Sequence, residues 1–239
     1  MTSDGEEFYQ LTDYSIKQPI RAVIHPQFSH DGKKLLWAER VKRGESFGGG
    51  WVLRAADFVL DGNDPHLENI ETLTPGKQNC FYESHAFSKD DKKILFSGNL
   101  ELDQSPVGLD IYELNLETNQ LIRLTTSDND WDEHAHYSPD GKKIAWMSST
   151  GFDIQWGDII GHNWQKYLKT ELWIMDADGS NQQRVTYFNT AGYPEYMDGR
   201  RSVVSDSAWS PDGKSITALL AYEAWGGGLR AKIVNIELE

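Results

Sequence analysis

The sequence predicts an all-β protein, a β-propeller with four four-stranded blades, and three observations carry that prediction. The first is a motif that recurs four times: an aromatic residue, a serine-led turn holding aspartate and lysine, then an apolar strand. It reads Phe28-Ser-His-Asp-Gly-Lys-Lys-Leu-Leu-Trp37, Phe87-Ser-Lys-Asp-Asp-Lys-Lys-Ile-Leu-Phe96, Tyr137-Ser-Pro-Asp-Gly-Lys-Lys-Ile-Ala-Trp-Met147 and Trp209-Ser-Pro-Asp-Gly-Lys-Ser-Ile-Thr217. Measured at Asp31, Asp90, Asp140 and Asp212 the spacings are 59, 50 and 72 residues, a period that marks repeat architecture. The second is a companion element after each copy: an apolar strand, a polar turn, and a strand ending in Leu-Thr or Val-Thr. The third is a pair of leftover strands at the two ends of the chain.

Each element has a physical reason. Asp-Gly makes the tight hairpin turn, because glycine takes positive φ without a Cβ clash and aspartate bonds neighbouring amides. Asp91 stands where the other copies have glycine, a tolerable exchange because aspartate visits left-handed geometry more easily than most residues. The strands on either side are short and rich in aromatic and β-branched residues. The second half of the repeat is cleanest in Leu172-Trp-Ile-Met-Asp-Ala-Asp-Gly-Ser-Asn closing at Arg184-Val-Thr186. Asp110 to Leu116 with Leu121-Ile-Arg-Leu-Thr125 repeats it, and Trp51 to Leu60 with Glu71-Thr-Leu-Thr74 gives a third version. Four antiparallel strands per unit, lettered a to d from the inside outward, describe a propeller blade.

These motifs resemble the TolB-like (WD40-like) propeller repeat, and the resemblance spans essentially the whole chain. It implies the fold and leaves the function open, because such repeats occur in periplasmic binding proteins, in oligogalacturonate lyases and in the propeller halves of prolyl oligopeptidase-like enzymes. Family resemblance also implies a periplasmic or exported setting. No signal peptide is visible, since Met1 to Glu7 is polar and acidic.

One domain is expected over 1–239. Blade 1 covers about 20–75, blade 2 about 80–126, blade 3 about 132–187, and blade 4 about 203–239 plus 7–13. Phe8-Tyr-Gln-Leu-Thr12 reads as a lone d strand, and Arg230 to Leu238 as a c strand with nothing after it. The N-terminal strand would complete blade 4, close the ring and remove two open sheet edges. A closed ring predicts a monomer. The alternatives are a piece of a six- to eight-bladed parent, or two chains forming a larger ring. In blade 1 the c–d turn is expected to run from Asp61 to Asn69.

Composition narrows the partners. Hydrophobic content of 38% with 12% aromatic residues suits a soluble, aromatic-rich β protein. With 37 acidic and 23 basic residues the net charge is −14, which disfavours nucleic acid and anionic membrane as partners. No membrane-inserting span is visible. Cys80 is the single cysteine and has no internal disulfide partner. No Gly-x-Ser-x-Gly elbow is present, and Gly48-Gly-Gly50 and Gly226-Gly-Gly228 lack the setting and the lysine of a phosphate-binding loop.

The strand order puts the a–b and c–d turns on one face and the elaborate b–c loops and d–a crossings on the other. Function is expected on that loop-rich face. Its largest segment, Ser149 to Thr170, carries Phe152, Trp156, His162, Trp164 and Tyr167. Packing over the blade top and a stacking platform for sugar or peptide are both open for this insertion. Four residues before each turn serine stand His25, Ser84, His134 and Asp206, with His85 one place further on. These enter the innermost strands and should ring the channel mouth, with Glu83, Asp132 and Glu133 nearby. His134 and His136 stand two apart on one strand, which suits capture of a divalent cation beside a carboxylate.

Two readings of this ring are open. One is a hydrogen-bonded network across the channel; the other is a site for Mn, Ca, Zn or Ni on His85, His134 and His136. The ligand-binding set expected on this face is His25, Glu83, His85, Glu133, His134, His136, Asp206, Trp156 and Trp164. The favoured function is a non-catalytic module that binds a protein partner or a small saccharide or peptide. The competing one is a divalent-metal-dependent lyase or hydrolase of acidic oligosaccharides. It rests on the family resemblance, since oligogalacturonate lyases use a histidine-rich metal site.

Overall fold

In the computed structural model the described residues are 4–12, 22–42, 50–77, 80–102, 104–105, 108–127, 129–153 and 167–238. They build four antiparallel sheets. Blade 1 is β1 (Ala22–Phe28), β2 (Lys34–Arg40), β3 (Trp51–Asp61) and β4 (Asp64–Leu73). Blade 2 is β5 (Tyr82–Phe87), β6 (Lys93–Gly98), β7 (Asp110–Asn115) and β8 (Leu121–Arg123). Blade 3 is β9 (Asp132–Tyr137), β10 (Lys143–Ser148), β11 (Glu171–Asp176) and β12 (Gln183–Arg184). Blade 4 has three strands, β13 (Ser202–Trp209), β14 (Ser215–Glu223) and β15 (Leu229–Glu237). Among the described residues no helix is long and apolar enough to cross a membrane.

The serine-led turns close on themselves. In all four, the serine hydroxyl donates to the aspartate two places on, at 2.7–2.8 Å. The same hydroxyl accepts the amide that opens the next strand, for example Lys143 N at 2.9 Å. Gly32, Asp91, Gly141 and Gly213 hold positive φ at the same turn position. Asp91 does more than tolerate that geometry. Its carboxylate accepts from the backbone amides of His30 and Asp31 at 2.8 and 3.0 Å, tying the turn of blade 2 to that of blade 1.

The core lies in the seams between blades, where alternate strand residues meet. Leu36, Ala38 and Leu53 of blade 1 pack on Tyr82, Ile94 and Phe96 of blade 2. Leu95 and Ile111 meet Ile144 and Trp146, and Ala145 and Leu172 meet Ile216 and Leu220. Burial of this kind contributes about 25 cal/mol per Å² of apolar surface.

Two expectations are corrected. Phe8 to Thr12 forms no strand and does not complete blade 4; Leu11 packs instead on the cluster of Leu35, Trp37 and Ala56 in blade 1. Apolar contact on an otherwise open blade face decides its place. The c–d turn of blade 1 is only Gly62 and Asn63, because β4 begins at Asp64 rather than beyond Asn69. Gly62 supplies the positive φ, at 64°, that so short a hairpin needs.

Candidate functional site on the innermost strands

Each innermost strand carries a register shift at its middle. The shifts fall between Ile24 and Gln27 in β1, Ser84 and Ala86 in β5, Glu133 and His136 in β9, and Val204 and Ser207 in β13. Such bulges bend a strand and re-aim the side chains they hold. His25 and His134 sit in theirs with φ of 51° and 56°, a left-handed conformation that costs a non-glycine residue about 1–2 kcal/mol. The recurrence of the bulge in all four blades places the ring of residues four before each turn serine at one level.

Four blades therefore deliver side chains to one cluster. His25 Nε2 lies 3.4 Å and His134 Nδ1 3.9 Å from Glu83 Oε1. His134 Nδ1 also lies 3.1 Å from Asp206 Oδ1, and its Nε2 is 4.0 Å from Glu133 Oε2 and 3.5 Å from the Ser205 hydroxyl. The His25 and His134 rings are 5.4 Å apart, and those of His85 and His134 5.9 Å. Two triads of metal-ligating atoms, each within 4.8 Å of one another, share His134. One is His25, His134 and Asp206, partly open to solvent; the other is Glu83, His85 and His134, buried. His85 Nε2 is 2.6 Å from the Ser97 hydroxyl.

Electrostatics divide the cluster. Burial, with His134 and His136 close by, holds His85 well below the ordinary imidazole range, so it is neutral. Burial also takes His136 down to about 4. For His134 burial works the same way, but the hydrogen bond to Asp206 and the charge of Glu83 outweigh it and the net shift is upward. The Asp206 carboxylate is correspondingly held far below the usual carboxylate range by that bond. Glu133 is pushed well up by burial and by the neighbouring Glu83, and Asp132 is raised to about 7 by burial. Glu83 Oε1 is buried with no hydrogen-bond partner. A buried acceptor left unmade costs about 1–3 kcal/mol.

The structure thus brings together His25, Glu83, His85, Glu133, His134 and Asp206. His136 belongs to neither triad: His134 sits within the bulge and His136 just beyond it, so the two-residue alternation is interrupted, and its carbonyl accepts from Trp209 Nε1 at 3.1 Å. Trp156, Trp164 and His162 lie outside the described residues. Phe152 packs with Leu109 and Trp131 and lies 5.2 Å under the Arg184 guanidinium. Ser205 was missed in the sequence. The one written signal of a bulge was Pro26 beside His25, since proline in a strand marks an edge or a bulge.

The fold these blades define is that of a β-propeller, as comparison with solved structures shows. A puromycin-hydrolysing peptidase of Mycobacterium tuberculosis superposes with a TM-score of 0.55 at 13% identity, over 89% of this chain and 27% of its own. A chain of a nidogen–laminin complex gives 0.51 at 12% identity, over 90% of this chain and 65% of that one. The TolB structure from Agrobacterium tumefaciens gives 0.46 at 16% identity, over 91% and 83%. The chain thus spans about a quarter of the peptidase and under two thirds of the nidogen–laminin chain. At such identities the likeness is one of fold. No family model matches the sequence.

Proposed function

We propose that this protein is a propeller binding module that engages its ligand at the channel mouth through a divalent cation held by Glu83, His85 and His134, with His25 and Asp206 on the open side. The observation that carries this reading is Glu83 Oε1: a buried carboxylate oxygen with no hydrogen-bond partner, facing two imidazoles at 3.4 and 3.9 Å. A cation there would give that oxygen its missing partner and offset the repulsion between Glu83 and Glu133. Mixed imidazole and carboxylate ligands suit Zn, Mn or Ni better than Ca, which prefers an all-oxygen shell.

Elemental analysis of the purified protein, with and without chelator, tests the reading. About one ion per chain, and a melting temperature lowered by chelation, is the expected result. No ion at saturating Zn or Mn, in a correctly folded protein, would reduce the cluster to a cross-channel network. A second reading is enzymatic, a lyase or hydrolase of acidic oligosaccharides. The exposed Asp206 and part-open His25 beside the buried triad favour it, because a substrate carboxylate could reach a cation from that side. Turnover of uronate oligosaccharides by the metal-loaded protein, lost in Glu83→Gln, would establish it.

A further inference from the structure

The outer edge of blade 4 differs from the edges of blades 2 and 3 in both pairing and charge. In blade 2 the third strand opens with Asp110, opposite Gly98, and in blade 3 with Glu171, opposite Ser148. Each buried acid receives the fourth strand. Arg123 donates to Asp110 at 2.6 and 2.9 Å and Thr125 at 3.1 Å. Arg184 donates to Glu171 at 2.8 Å and Thr186 at 2.7 Å. The arginines lie opposite Tyr112 and Trp173, two places into their third strands.

Gly98, Ser148 and Leu220 each stand ten residues after their turn serine, and the residue opposite Leu220 is Lys232. Blade 4 thus holds a cation where blades 2 and 3 hold the acid that latches the outer strand. Arg230 lies two residues away, opposite Tyr222, and both cations are exposed. Among the described residues no strand pairs with the outer edge of β15, which runs nine residues from Leu229 to Glu237. In a chain of net charge −14 this is a local basic edge.

We infer that the outer edge of β15 is a docking site for an extended acidic peptide segment of a partner protein, which adds as the fourth strand of blade 4 and places a carboxylate opposite Val234, within reach of Lys232. The mode is strand addition: main-chain hydrogen bonds supply affinity and the inverted charge supplies selectivity. The chain's own Phe8 to Thr12 segment ends in Leu-Thr as outer strands do. It carries Gln10 where Arg123 and Arg184 stand, however, and is engaged on blade 1 through Leu11. The inference is independent of the cation reading, which concerns the opposite end of the same sheet's strand order.

Two synthetic peptides test it. One copies residues 118–127 of this chain; the other is the same with Arg123→Glu. Binding is followed by chemical-shift titration of the β15 amides in the full chain. The acidic peptide should bind at least about tenfold more tightly than the arginine peptide, a difference near 1.4 kcal/mol. Lys232→Glu should reverse the preference, with the circular dichroism spectrum unchanged. Equal binding of both peptides, or binding of neither, overturns the inference. So does a doubled mass in sedimentation that Lys232→Glu abolishes, which would make the edge a contact between copies. Exchange protection of the β15 amides that is lost on deleting residues 1–12 would give the edge to the chain's own N-terminus and overturn it too.

Discussion

The turn face and the mouth face of these blades are made from the same strands and obey opposite rules. On the turn face the Ser-x-Asp turn closes on its own hydrogen bonds: Ser138 donates to Asp140 at 2.7 Å and accepts from Lys143 N at 2.9 Å. On the mouth face, a few residues earlier in the same strands, histidines adopt left-handed backbone, carboxylates crowd together, and Glu83 Oε1 has no hydrogen-bond partner. Local consistency is what a fold needs; strained backbone, crowded carboxylates and an unbonded carboxylate oxygen gathered at one point mark a site. The difference teaches that the repeats maintain the scaffold through their turns, which leaves the bulged ends of the inner strands free to carry chemistry.

The largest expected effect removes the scaffold that both faces share. Trp146 is 1% exposed in the seam between blades 2 and 3. Trp146→Ala should cost about 3–5 kcal/mol, read as a lower denaturation midpoint, and should weaken cation binding only as far as folding is lost. A variant that kept wild-type stability would mean the seams are not the core.

Glu83→Gln separates the faces. It replaces a carboxylate that faces His25 and His134 at 3.4 and 3.9 Å by an amide of the same shape, so the metal-free protein should lose no more than about 1 kcal/mol, while cation affinity falls by about a hundredfold, or near 2.7 kcal/mol. A destabilised metal-free protein with unchanged cation binding would reverse the assignment and make Glu83 part of the scaffold. Ser138→Ala is the mirror experiment. Losing one donor and one acceptor in a half-buried turn should cost about 1–2 kcal/mol and leave cation affinity as it was, measured by calorimetry on the same preparation.

This division also governs what could be read from the sequence. The serine-led turns were legible, because their Ser-x-Asp chemistry is local and repeats four times, whereas the c–d turn of blade 1 proved shorter than its sequence suggested. The ring of His25, Ser84, His134 and Asp206 was legible as positions, and Glu83 as a nearby acid. Their mutual geometry was not: a bulge depends on register between strands, which no stretch of one strand encodes, and it separated His134 from the predicted partner His136. The N-terminal strand was misplaced for a different reason. Its Leu-Thr ending matches the outer strands, but Lys232 stands where Asp110 and Glu171 would have received it, and Leu11 finds Leu35 and Trp37 instead.

The smallest effect, and the finest comparison, is with pH. His85 and His136 are held below the ordinary imidazole value, so in the folded state they stay neutral while the unfolded chain takes up protons. The contribution of His136 is intact above about pH 6.5 and is lost as pH falls toward about 4, and that of His85 has the same sign. His134 has the opposite sign. Its folded value is raised by Asp206 and Glu83, so its stabilisation is complete below the unfolded value and fades as pH rises through the folded one. Asp206, depressed by the same bond, contributes above its unfolded value and loses that only in strong acid. His85 and His136 pull stability down from pH 6.5 to 4 while Asp132 and Glu133, raised by burial, gain it over the same fall, so the metal-free wild-type profile should be shallow there, and Asp206→Asn should add a loss that shrinks as pH rises through the folded value of His134. Melting curves at matched ionic strength measure both. A deficit of Asp206→Asn that stayed constant across the whole range would mean the His134–Asp206 contact acts as a neutral hydrogen bond, and the mouth would then obey the same rule of local satisfaction as the turns.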